Sequence, residues 1–142
     1  MTGYDELMAA YRRTLFRVFD PAGEFILRVE VHSLELEACH QRHGVRCSLF
    51  ITAWNPGSDP KTDAVNHAAQ ARLEAEVRAA GYAMLPGRGD DPDSDWREDS
   101  LLVLGIDEAA ARALGRTYDQ LAVVFTGEDC IPRLLVLTPG TT

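Results

Sequence analysis

Positive charge is scarce in this chain. Lys and Arg number 14 against 22 Asp and Glu, which gives a formal charge of −8 and a pI near 4.9. No basic face is visible in the order of residues, so nucleic acid is not expected as a partner. Long apolar runs are missing too. Nothing approaches the ~18 residues of a membrane span, and the start MTGYDELMAAYRR lacks the basic-then-apolar pattern of a secretory leader. The expected place is the cytoplasm, without membrane contact. Cysteine is sparse: Cys39, Cys47 and Cys130 form no C-x-x-C pair, and their odd number argues against a disulfide framework. The string Cys39, His40, His43 and Cys47 lacks the spacing of a zinc knuckle. No G-x-S-x-G elbow surrounds any serine. Neither a metal nor a cofactor is expected.

What remains is ordinary globular composition, 46% hydrophobic and 25% charged over 142 residues. A chain of this length buries enough surface for one core, so residues 1–142 are read as a single domain. Residues 4–13 can form a short helix with Leu7, Met8, Ala10 and Tyr11 inward. Asp20-Pro21-Ala22-Gly23 has the residues of a tight turn, so strands on either side of it form a hairpin, with Phe25, Leu27, Val29 and Val31 on one face. Ser33 caps a helix that reaches His43 and ends at Gly44. A strand follows over 46–53. Residues 63–80 carry Val65, Ala69, Leu73, Val77 and Ala80 at helical spacing. Tyr82–Leu85 reads as a brief strand, 86–95 as a loop, and Leu101–Leu104 as a central strand buried on both faces. Another helix spans 107–116, and two more strands lie at 121–125 and 134–137.

This order predicts an α/β or α+β fold: a single-layer mixed β-sheet flanked by helices, opened by an antiparallel hairpin, with the helix-linked strands parallel. The acidic stretch GDDPDSDWRED alternates Asp91, Asp93 and Asp95 like the start of a calcium loop. Trp96 and Leu102 stand where that loop needs its glycine and its bidentate glutamate, so a solvated acidic loop is expected.

One junction carries more polar equipment than a turn needs. FITAWNPGSDPKTDAVN runs from strand into helix. Trp54 offers a flat apolar face and one N–H, and Asn55 offers a donor and an acceptor. Ser58 or Thr62 can cap the helix, and Asn66 lies one turn inside it. Pro56 favours an extended Asn55, and Gly57 permits the turn. The crevice past a strand's carboxyl end, with free helix N–H groups facing it, suits a small polar or anionic molecule. Read as structure alone, Asn-Pro-Gly-Ser is turn chemistry, Trp54 plugs the core, and Asn66 ties down the loop.

ITAWNPGS, Asn66, ED-S-LLVLGI over 98–106 and DQLAVVF over 119–125 together resemble the bacterial family known as domain of unknown function 3293. The resemblance reaches Thr52, Ala53, Trp54, Asn55, Pro56, Ser58, Asn66, Glu98, Ser100, Gly105 and Gln120. Such sequences often have glycine before the glutamine, where this chain has Asp119. The family carries no activity, so residue chemistry has to supply one. The first reading is a small-molecule site of Trp54, Asn55, Ser58, Asn66, Ser100 and Gln120, with Glu98 as its acid or base if it is catalytic. The alternative is a protein-interaction module whose acidic surface meets a basic partner and whose motif residues only hold the fold.

Overall fold

The computed structural model describes residues 2–137, apart from the side chains of Thr2 and Ser58. Helix α1 (Thr2–Arg13) leads into the hairpin β1 (Leu15–Asp20) and β2 (Gly23–Leu27). Helix α2 (Leu34–His43) and strand β3 (Ser48–Ile51) follow, then a 3₁₀ turn at Pro56–Ser58 and α3 (Asp63–Ala79). Strands β4 (Ala83–Asp90) and β5 (Arg97–Leu104), helix α4 (Glu108–Thr117), β6 (Ala122–Thr126) and β7 (Arg133–Val136) complete the order. Ser33 caps α2 by accepting from the Leu36 N–H, and Gly44 ends it at φ 68°. Thr62 caps α3 by accepting from the Val65 N–H.

The fold is α+β. The seven strands form one sheet in the order β2-β1-β4-β5-β3-β6-β7, and every pairing is antiparallel. The parallel pairing expected of helix-linked strands is therefore corrected. Strands β3 and β4 do run the same way, as do β5 and β6, but an antiparallel strand occupies the slot between the members of each pair. Residues 48–126 thus form a split βαβ pair, the ferredoxin-like β-α-β-β-α-β arrangement. The hairpin extends this sheet on one side and β7 on the other.

Alternating side chains divide the core between the two faces. Leu49, Ile51, Leu101, Val103 and Val123 pack under α3 and α4. Phe50, Leu102, Leu104 and Val124 turn to the opposite face, where Leu36 and Cys39 of α2 and Met8 and Tyr11 of α1 cover them. Strand β5, fourth of the seven, is buried from Ser100 onward because helices lie on both sides of it.

Three local expectations change. The segment 86–90, read as loop, is the second half of β4, pairing β5 throughout and β1 over residues 87–90. Pro86 is tolerated there because it lies one residue past Gly87, the end of the β1 pairing. Gly87 is required by close approach: a Cβ would meet the Arg17 carbonyl oxygen at 2.8 Å and the Phe50 ring at 2.9 Å. Val31 lies beyond the end of β2 and is exposed. On α3, Val65 and Ala80 are exposed, and Asn66 and Gln70 take their place in the buried stripe with Ala69, Leu73 and Val77.

Two outcomes are expected in denaturant unfolding. Leu102→Ala should lose about 2–5 kcal/mol, as a large aliphatic removed from a filled core does; a loss under about 1 kcal/mol would place β5 at the periphery. Gly87→Ala should lose about 1–3 kcal/mol through overpacking against backbone, although alanine is otherwise the milder strand residue.

Candidate functional site

Leaving β3, the chain is held by one side chain after another. The Ala53 N–H donates to Gln70 Oε1 of α3 at 2.9 Å. Asn55 then turns into the left-handed region, φ 47° and ψ 62°, where the expectation from Pro56 was an extended residue. The proline's preference is overridden because Asn tolerates this conformation and the Asn55 N–H and both ends of its side-chain amide then find partners. Its N–H donates to Asn66 Oδ1 at 2.9 Å, and its Oδ1 accepts from Asn66 Nδ2 at 2.9 Å and from the Lys61 N–H at 3.0 Å. Its Nδ2 reaches across to Glu98 Oε2 on β5 at 2.9 Å. Asn66 is 1% exposed. It touches the loop, not open space.

Gln120 closes the junction from the other side. Its Nε2 donates to the Trp54 and Tyr118 carbonyls, each at 3.2 Å. Asp119, standing where glycine is common, adopts φ 53° itself, and its carbonyl accepts from the Gly57 N–H at 2.6 Å. The tight turn is made without the glycine. Trp54 packs edge-on against His67 of α3, ring centres 5.2 Å apart, and its indole N–H is buried without a partner among the described residues.

These residues border a cavity of about 550 Å³ between α1 and the sheet. Its wall includes Trp54, Asn55, Glu98, Ser100 and Gln120, all named from sequence. Asn66 stands behind Asn55 rather than on the wall. The side chain of Ser58 lies outside the described residues. Thr62 and the start of α3 are not on the wall either, although Pro60, two residues before that cap, is. Residues that sequence reasoning missed as site members are Tyr11, Phe16, Phe50 and Trp96. For Tyr11 the signal was its place in the inward stripe of the first helix; for Trp96 it was an aromatic in an otherwise acidic turn.

That acidic turn is backbone chemistry. Asp91 Oδ1 accepts from the Asp93 N–H at 2.9 Å, and Ser94 Oγ accepts from the Trp96 N–H at 3.2 Å. Of Cys39, His40, His43 and Cys47, only Cys39 and His43 come together, converging with Asp20 so that one ligand atom of each lies within 4.8 Å of the others. His40 Nε2 pairs with Ser48 Oγ at 2.8 Å, His43 faces Asp20, and the Cys47 thiol donates to the Ile106 carbonyl.

Glu98 sets the electrostatics of the cavity. Burial pushes its carboxyl up from the ordinary 4.5 to about 7, against the opposing hydrogen bonds of Asn55 and Trp96. Tyr11 donates its phenol to the Ala122 carbonyl at 3.1 Å, and burial, with the Glu98 charge, raises its pKa further. A carboxyl poised near neutrality inside a cavity is suited to exchange a proton.

The family model for a protein of unknown function (DUF3293) matches residues 51–123, just over half of the chain. The chain belongs to this family. No curated protein and no solved structure matches it. The DUF3293 match begins at the last residue of β3 and ends within β6, so it falls on the split βαβ core. Asn55, Asn66, Glu98 and Gln120 lie inside it, whereas Tyr11 and Phe16, on the opposite wall, lie outside.

The raised pKa fixes a sign for stability. Between about pH 4.5 and 7 the folded chain binds the Glu98 proton and the unfolded chain does not, so this group's contribution falls as pH rises through that window. Glu98→Gln keeps an acceptor for Asn55 and removes the buried charge. It should exceed the wild type in stability by about 1–3 kcal/mol at pH 8, with the gap closing toward pH 5. Urea titrations of both proteins across that range would show it; a gap independent of pH would mean that Glu98 is well solvated.

Proposed function

We propose that the cavity between α1 and the sheet is a small-molecule site in which Glu98 binds, or exchanges a proton with, a polar group of the ligand. The observation that carries this reading is the hydrogen-bonded chain Asn66–Asn55–Glu98, which aims a near-neutral carboxyl into a roomy, aromatic-walled space. In this reading Trp54, Asn55, Ser100 and Gln120 contact the ligand, Glu98 is the catalytic group if there is turnover, and Asn66 is a positioning residue. Ser58 is retained on its place in the motif alone. The N-terminus of α3 is not part of this site, because no residue of that helix borders the cavity.

The competing interaction-module reading makes the same residues structural. Asn55 cannot separate the two, since it holds the loop under either. Glu98 can: a carboxyl that weakens the fold at neutral pH is more economically explained by a site than by a scaffold. No helix among the described residues is long and apolar enough to cross a membrane. We assign the protein to the cytoplasm, on the strength of its three free cysteines.

Both tryptophans of the chain, Trp54 and Trp96, border the cavity, so intrinsic fluorescence reads the site directly. Small aromatic probes in the millimolar range should change that emission saturably, and in nuclear magnetic resonance spectra they should shift both indole N–H signals. Probe-induced shifts confined to other surfaces would show that the cavity is not a binding site.

A further inference from the structure

Resting on the small-molecule reading, we infer that the ligand is an organic cation, an alkylated ammonium or N-heteroaromatic cation with an apolar body. Its charge lies against Glu98, and its body lies among the aromatic walls.

Two independent features give the cavity this sign. The first is charge balance. The charged side chains that face the space are Arg13 from the end of α1, Asp91 from the turn after β4, and Glu98 from β5. Arg13 is exposed at the rim and offsets Asp91. Glu98 has no ion-pair partner among the described residues; the hydrogen bonds it accepts come from neutral groups, Asn55 and Trp96. A buried carboxylate without a cation is costly, and a cationic ligand removes that cost where an anion would add to it.

The second feature is the walls. Tyr11 stacks with Phe16 at 6.0 Å between ring centres, and Phe16 meets Phe50 edge-on at 5.1 Å. Trp54 and Trp96 stand beside them. Aromatic faces are electron-rich and attract ammonium and delocalised cations while repelling anions. No residue of α3, whose N-terminus would favour an anion, borders the cavity.

Three probes of one body separate the possibilities: benzyltrimethylammonium, whose charge is independent of pH, benzyl alcohol and benzoate. The cation should bind at least about tenfold more tightly than either of the others, the size of a desolvated charge and cation–π contribution. Below pH 7 its affinity should weaken about tenfold per unit as Glu98 takes up its proton. Glu98→Gln should abolish this pH profile and narrow the preference to what the aromatic walls alone supply. His67, a titratable group of α3 behind Trp54, is unchanged in that variant and so is controlled for.

The wild-type pH profile reads the same group without any substitution. Equal or tighter binding of benzoate or benzyl alcohol, a flat profile from pH 8 to 6, or a cation preference undiminished by Glu98→Gln would overturn the inference. In each of those cases the cavity still binds a probe and the broader reading stands. If none of the three probes changes the tryptophan emission, both fall together.

Discussion

The amide pair of Asn66 and Asn55 is the interaction on which the site depends. A buried asparagine in a helix is costly unless its hydrogen bonds are made, and here both ends of the Asn66 amide are engaged by the same residue of the preceding loop. That double contact fixes Asn55 in the left-handed region, and this conformation turns the Asn55 side chain toward β5. Helix α3 lies on one face of the sheet and the cavity on the other. The pair therefore transmits the position of α3 around the end of β3 to a carboxyl on the opposite side.

The strand order does the rest. Ile51 pairs with Leu101 in the antiparallel β3–β5 ladder, so each step past Ile51 runs alongside a step before Leu101. Trp54 and Asn55 consequently arrive beside Glu98, although 43 residues separate Asn55 from Glu98 along the chain. Had β3 and β5 been parallel neighbours, the end of β3 would have met the far end of β5 near Leu104, about 20 Å from Glu98 at the usual strand rise. The mixed sheet expected from the sequence left the relative direction of β3 and β5 open; the split arrangement makes them antiparallel neighbours and so brings Asn55 to Glu98.

Legibility followed the physics of each signal. Caps at Ser33, Gly44 and Thr62, the Asp20–Gly23 turn, and the doubly buried Leu101–Leu104 could be read because each depends on a few adjacent residues. The second half of β4 could not, since Pro-Gly-Arg-Gly-Asp has the composition of a loop. Only the approach of Arg17 and Phe50, both distant in sequence, makes Gly87 a requirement. The buried stripe of α3 was misplaced by one position because apolar periodicity counts Val65 as inward and two amides as outward. Asn66 and Gln70 are inward because the backbone N–H groups of Ala53 and Asn55, just past β3, have no ladder partner and need acceptors. Tyr11 and Phe16 were invisible as site residues because nothing local ties the first helix to a motif eighty residues away.

Local costs are unevenly distributed, and their placement bears on function. Of four non-glycine residues with positive φ among the described residues, Asn55 and Asp119 are joined through Gly57, whose N–H bonds the Asp119 carbonyl. Of the four, Asn55 alone is on the cavity wall. Around the first pair stand the buried indole N–H of Trp54 and the desolvated Glu98. Each such feature carries a penalty of roughly 1–3 kcal/mol and persists where surrounding contacts over-determine it. A scaffold could shed two of them at once, with glycine at 119 and glutamine at 98, and keep the same hydrogen bonds. The left-handed Asn55, the Trp54 indole and the Glu98 carboxyl belong to residues of one cavity wall, which is where the proposed ligand would meet them.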